Sequence, residues 1–312
     1  MSKLSRPRRG SLQFYPRKRV SKYLPSTNWS TINTKTEGFL GIIAYKAGMS
    51  SALIKDSTDK VMTQGKQIVL PVTILEVPHM KIYSVRFYKH GQVMKEIIVS
   101  HDKELKRVVK VPKQIKNLDH VPENYDDLRV ILYSIPKQTS IKKTPDLVEV
   151  AIHSNDKLSF VKPYLHKEIT IDDFKFDLVD VRGLTKGKGL VGPVKRFGIA
   201  LKQHKTEKGV RRPGSLAPWH PARVTFHAPQ AGQLGMFTRI IYNLRILSKG
   251  NIKDKNINPV SGFRNYGNVK TSYIIIKGSV QGPAKRQMLL TPSFRPTKLQ
   301  TKRKYEFQEL MH

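Results

Sequence analysis

Acidic residues nearly vanish from one long stretch of this chain, and that constrains which parts can fold as ordinary core and surface. Residues 182–305 carry 26 Lys or Arg against two acids, Glu207 and Asp254. Residues 1–36 carry nine Lys or Arg and no acid. Residues 37–181 are nearly balanced, with 22 basic and 19 acidic residues, and the whole chain of 312 residues has a net charge of +34. A compact fold repels itself at that charge and attracts polyanions without selectivity. A single basic run is most simply a solvated face. An excess sustained over more than a hundred residues without counter-charge is not required by solvation and points to a permanent polyanionic partner. A free-standing metabolic enzyme is the reading this disfavours.

Other chemistry is excluded by what the chain lacks. It has no cysteine, so disulfide scaffolds, thiolate metal sites and cysteine nucleophiles are ruled out. The basic start, Met1 to Arg9, has no apolar segment behind it and does not read as a signal peptide. Apolar runs such as Val72–Leu75 and Tyr273–Ile276 are far too short for a membrane span. The expected setting is cytoplasmic, with no membrane partner.

Periodicity divides the chain further. Residues 1–36 mix cations with Pro7, Pro16, Pro25 and Gly10 and read as an extended arm. Strands are expected at 39–45, at 67–77 and 81–88 as neighbours, and at 128–134, 147–153, 176–182, 224–226, 272–276 and 287–290. Short helices are expected near 101–107 and 113–118, within an α/β insertion, while 157–168 is ambiguous. Short strands with Gly and Pro turns suggest a small closed barrel rather than a doubly wound sheet.

Three constellations have residue types that could carry chemistry. Gly187-Lys-Gly-Leu-Val-Gly192 satisfies G-x-G-x-x-G. A dinucleotide site also needs a βαβ unit and an acid about 20 residues on. Glu207 lies in Lys205-Thr-Glu-Lys-Gly209, which is no strand, so a glycine turn allowing close backbone approach is the better reading. His204, His220 and His227 lack the carboxylates that a metal site or a Ser–His–Asp relay demands. Gly209–Arg223 holds three prolines and two glycines and ends near Trp219, boxed by Pro218 and Pro221. A loop of this length is usually functional. Trp219 reads either as a core anchor or as a stacking tip on a basic stem; the surrounding charge favours the tip.

Several motifs in fixed order carry a family resemblance. They are Gly38-Phe-Leu-Gly41, Tyr45-Lys-Ala-Gly-Met49, Lys186-Gly-Lys-Gly189, Pro218-Trp-His-Pro-Ala-Arg-Val224, Ala231-Gly-Gln-Leu-Gly235 and Gly282-Pro-Ala-Lys-Arg286. Together they resemble the universal large-subunit ribosomal protein L-three family. The arm, with Arg9-Gly-Ser-Leu12 and Pro16-Arg-Lys-Arg19, is similar to the archaeal and eukaryotic branch. The chain is short for a eukaryotic member, which favours an archaeal source.

The resemblance implies a mainly β fold with an α/β insertion: a six-stranded β-barrel of the translation-protein type, an extended N-terminal arm and a long internal basic loop. Its divisions would be an arm over 1–37, a discontinuous barrel over 38–94 and 176–312 with a tryptophan-finger loop at about 195–225, and an insertion over 95–175. It implies a structural, non-enzymatic constituent of the large ribosomal subunit that binds large-subunit rRNA, supports early assembly and reaches toward the peptidyl-transferase centre. Neighbouring ribosomal proteins are the other expected partners, with no small-molecule substrate and no homo-oligomer. No cofactor is expected beyond structural magnesium shared with rRNA phosphates.

The expected rRNA contacts in the arm are Arg8, Arg9, Arg17, Lys18 and Arg19. Those in the loop and its stem are Lys186, Lys188, Lys195, Arg196, Lys202, His204, Lys205, Lys208, Arg211, Arg212, Trp219, His220 and Arg223. Lys285 and Arg286 complete the set. Two departures stand out. Glu207 replaces a histidine that is methylated in some relatives, so that modification is not expected here. Met236-Phe-Thr-Arg-Ile-Ile241 replaces a polar stretch with a Thr-Glu pair.

Overall fold

The computed structural model describes residues 9–115, 118, 121–122 and 124–311. Its strands, in chain order, are β1 (Gly38–Phe39), β2 (Ile42–Asp56), β3 (Gln67–Val77), β4 (Met80–Lys89), β5 (Gln92–Ile98), β6 (Asp127–Ser134) and β7 (Leu147–His153). Then come β8 (Leu178–Leu184), β9 (Leu190–Val191), β10 (Gly232–Gln233), β11 (Thr238–Asn251), β12 (Ser272–Lys277), β13 (Gln287–Pro292) and β14 (Tyr305–Met311). The α-helices are short: α1 (Lys157–Val161), α2 (Pro193–Phe197) and α3 (Lys298–Lys302).

The chain separates into two compact units. The larger, the β unit, comprises Tyr23–Gly183 and Arg239–His312. The smaller, the arm–loop unit, comprises Leu184–Thr238 with the arm up to Lys22.

The β unit holds two sheets. One has the order β1-β7-β6-β4-β5. The other runs β13-β8-β11-β12-β3-β2-β14, with β13 also paired to β2. That extra pairing returns the ladder on itself through six strands. It is possible because β2 is long: its first residues, Ile42–Tyr45, pair with β13, and Ser51–Asp56 pair with β14. Pro71 is tolerated inside β3 for a local reason. Its carbonyl accepts from Gly278 at 2.8 Å, so its missing N–H faces the same side, just past the last β12 pair, Lys277 with Val72.

The apolar run Tyr273-Ile274-Ile275-Ile276 shows how the core is divided. Successive side chains of a strand point to opposite faces. Ile274 and Ile276 join the main core with Leu75 and Val77, while Tyr273 and Ile275 join a second cluster with Ile74, Ile257 and Phe263. Both faces of β12 are therefore covered, which is why it carries no polar alternation. The second cluster lies under the segment 252–271. That segment is tied down by the buried Glu76, which accepts from the Lys270 and Thr271 amides at 2.7 and 2.9 Å and from the Tyr266 hydroxyl.

Several expectations need correction. The strands at 67–77 and 81–88 are both present, but they are not paired. β3 already has β2 and β12 on its two edges, so β4 joins the other sheet. That sheet thus draws β1 and β4 from upstream of position 95, where the insertion was expected to start. Within 95–175 the chain forms antiparallel strands, 3-10 turns and the short helix α1. The helix expected near 101–107 is a single 3-10 turn, Lys103–Arg107, and the one expected at 113–118 lies partly outside the described residues. The expected strand 224–226 is absent: Pro221 and Pro229 flank it and no neighbouring strand offers a ladder. The arm is also shorter than read, because Leu24, Trp29 and Ile32 are buried in the main core.

Candidate nucleic-acid interface

The arm–loop unit is built on a narrow antiparallel ribbon. β9 pairs with β10, Leu190 opposite Gln233 and Val191 opposite Gly232. The ladder continues away from the loop through Lys188 N to Leu234 O at 2.9 Å and Thr185 N to Phe237 O at 3.0 Å. Only glycine fits at 235. Its φ is +78°, and a Cβ there would lie 2.0 Å from the Lys186 carbonyl oxygen. The glycine-rich turn thus serves close backbone approach. Its strand is antiparallel to β10 and is followed by the five-residue α2, so no βαβ unit frames a dinucleotide.

Beyond α2 the chain has no regular structure until β10. Short turns hold it instead: Lys202 N donates to Val210 O at 3.0 Å, Gly209 N to Thr206 O at 3.2 Å, and Arg223 N to Pro221 O at 2.7 Å.

Arg17 and Arg196 clamp the arm to this stem. The Arg196 guanidinium donates to the carbonyls of Gln233 (3.0 Å), Gln230 (3.1 Å) and Arg17 (3.3 Å). Arg17 returns a bond to the Arg196 carbonyl at 2.8 Å. Its guanidinium carbon lies 4.4 Å from the centre of the Phe197 ring, a cation–π distance. Val20 N adds a bond to Met236 O at 3.2 Å. Gly232 leaves room for the clamp, since a Cβ there would meet the Arg196 guanidinium at 2.8 Å. Burial, and then the nearby Arg17 charge, lowers the Arg196 pKa from its ordinary value. Such a shift still leaves an arginine charged at neutral pH.

The expected contact residues therefore divide into two groups. Arg9, Lys18, Arg19, Lys186, Lys188, Lys195, Lys202, His204, Lys205, Lys208, Arg211, Arg212, Trp219, His220 and Arg223 are all exposed. Arg17 and Arg196 are partly buried and turned to each other. Arg8 lies outside the described residues. Lys285 and Arg286 belong to the β unit; Lys285 is exposed, and Arg286 is partly buried with Tyr23 at 5.5 Å. Trp219 is 87% exposed, which excludes a core role, whereas Trp29 is 4% exposed and is core. The stretch 236–241 leaves the ribbon and enters β11.

Among the described residues every ion pair lies in the β unit. The arm–loop unit has Glu207 as its lone acid, and that residue is exposed. No group of three or more metal-ligating side chains occurs among the described residues. No helix of the described residues is long and apolar enough to cross a membrane.

Sequence reasoning missed an aromatic group on the loop. Phe226 and His227 have ring centroids 3.9 Å apart, and Tyr15, from the arm, lies 4.5 Å from His227. Phe226 and His227 are neighbours in sequence, but Tyr15 lies more than two hundred residues away, so no local motif announces the group.

These features define a class: a strongly basic, mainly β protein whose exposed arm and loop cations meet a single acid, Glu207, in their own unit. Comparison with known proteins specifies the family. The sequence matches the family model for Ribosomal protein L3 over residues 1–110 and 97–309. A protein of Methanococcus vannielii named large ribosomal subunit protein uL3 is 40% identical, covering 94% of this chain and 93% of its own length. Proteins of the same name from Methanocaldococcus jannaschii and Methanococcus aeolicus are 38% and 39% identical, covering 94% of this chain and 92% of their own lengths. The chain belongs to the ribosomal protein L3 family. It is accordingly a ribosomal component and not an enzyme, and it is located with the ribosome in the cytoplasm.

Proposed function

We propose that this chain is a structural constituent of the large ribosomal subunit and binds large-subunit rRNA through its arm–loop unit. One observation carries the reading. The loop and arm display a dense set of exposed Lys and Arg, while the ion pairs among the described residues belong to the other unit. Cations left unpaired in the protein are free to replace counterions on phosphates.

The circuit of six paired strands supports a barrel of the translation-protein type. In this reading the barrel and the insertion form the body of the protein, and the arm and finger run along RNA. Trp219 stands at the finger tip, toward the peptidyl-transferase centre, and the protein acts early in subunit assembly. Any magnesium is shared with rRNA phosphates, and neighbouring ribosomal proteins rather than a second copy complete the partners.

The test is rRNA binding by the full chain across a salt series, together with co-sedimentation. Each neutralised phosphate contributes a log–log slope of about −0.7 to −0.9, so affinity should fall steeply with salt. The native protein should travel with the large subunit and leave it only at high salt. Salt-insensitive affinity, or equal binding to duplex DNA and structured rRNA, would sink the reading.

A further inference from the structure

The aromatic group on the loop is organised beyond what a solvated turn needs. Phe226 is 77% exposed. It lies tilted 36° against His227 at 3.9 Å, and Tyr15 meets the pair edge-on, 4.5 Å from His227 and 6.1 Å from Phe226. The Arg17 guanidinium carbon is 5.5 Å from the Tyr15 ring centre. The exposed ring therefore has two rings and a clamped arginine in series behind it. Residues 223–227, including the exposed Arg223 and Phe226, line an open cavity of about 510 Å³. That volume falls within the roughly 300–1,000 Å³ of small-ligand sites.

A single exposed apolar residue is ordinary. An exposed ring held in place by other rings, beside an unpaired cation, has the parts of a single-strand binding site. Bases stack on aromatic faces, and Arg or Lys meets the adjoining phosphate. Trp219, by comparison, has His220 as its ring neighbour at 6.3 Å. Phe226 is the better supported of the two, so less freedom is lost when it is covered.

We propose that Phe226, backed by His227 and Tyr15, is a stacking platform for one unpaired RNA base, with Arg223 meeting the phosphate beside it. The proposal rests on the RNA-binding reading above and adds a base contact separate from Trp219. Because Tyr15 comes from the arm, the platform is complete only when arm and loop are together.

The test uses the full chain and large-subunit rRNA, with binding measured at several salt concentrations and nucleotide reactivity probed chemically. The variants are Phe226→Ala, Phe226→Leu and Phe226→Trp. Stacking predicts that Ala and Leu both weaken binding by about 5- to 150-fold. The salt slope should stay unchanged, one unpaired nucleotide should become more reactive, and Trp should keep the affinity. Leu preserves apolar bulk without a π face. If Phe226→Leu binds like the unsubstituted chain, or if no nucleotide changes reactivity, the platform is wrong while RNA binding stands. If the unsubstituted chain lacks salt-dependent RNA binding, both readings fall.

Discussion

Replacing Arg196 by alanine separates an internal clamp from a phosphate ligand. Arg196 gives three hydrogen bonds to backbone carbonyls, two at 3.0–3.1 Å and a longer one at 3.3 Å. A bond from a charged donor contributes about 1.5–3 kcal/mol net, and the low end applies at a partly exposed site. Two of these bonds, to Gln230 and Gln233, hold α2 to the chain entering β10, and only the 3.3 Å bond to Arg17 reaches the arm, so its loss should cost the arm's attachment about 1.5 kcal/mol. That corresponds to a factor of roughly 10 in the arm's local opening equilibrium. Native-state amide exchange should therefore show about a ten-fold loss of protection at Val20, whose amide donates to Met236. Amides of β2, β3 and β12 should be unaffected. Arg196→Lys, which can satisfy fewer carbonyls at once, should fall between. If Val20 protection is unchanged and only RNA affinity drops, Arg196 is a direct phosphate contact and the clamp is wrong. A uniform loss of protection across the sheets would also refute it.

Other outcomes follow from the same coordinates. Gly235→Ala should destabilise the ribbon by at least about 2 kcal/mol, from its left-handed backbone and the 2.0 Å approach to the Lys186 carbonyl, and should appear as increased proteolysis within 198–231. Trp219→Ala should leave the unfolding midpoint unchanged, because the ring is 87% exposed, while slowing translation; a lowered midpoint would contradict the tip reading. Glu76→Ala should cost roughly 2–4 kcal/mol in denaturant unfolding, since it strands two donating amides and a hydroxyl in the core. Truncation through Lys22 should spare the β unit's stability, whereas truncation through Ser30 removes the buried Trp29 and should lower it; equal stability of the two would refute the shorter arm.

Strands with a plain pattern were legible in the sequence. β3 and β7 fall at the expected 67–77 and 147–153, where β-branched residues concentrate. β11 was not read. Its residues from 239 on are mostly half-buried without alternation, and Asn243 has a left-handed backbone that breaks the run. β14 did carry a signal, since Tyr305 and Phe307 alternate with Glu306 and Gln308, but its charge drew attention away. Among the expected contact residues, charge identified cations without telling which face outward. Arg196 and Arg17 look like their neighbours in sequence and differ only in the carbonyls within reach. That distinction depends on tertiary placement, as does the grouping of Tyr15 with Phe226 and His227.

The clamp has a consequence for the order in which the protein is made. Arg17 and the Arg196 carbonyl it bonds are 179 residues apart. At a synthesis rate of about 5–20 residues per second, roughly 10–35 s separate the appearance of the arm from that of its first partner. Closing so long a loop costs chain entropy. Folding the five-stranded sheet first, whose strands all lie between Gly38 and His153, reduces that cost by shortening the free segment. The nascent arm, basic and without its stem, is therefore available to other anions throughout that interval.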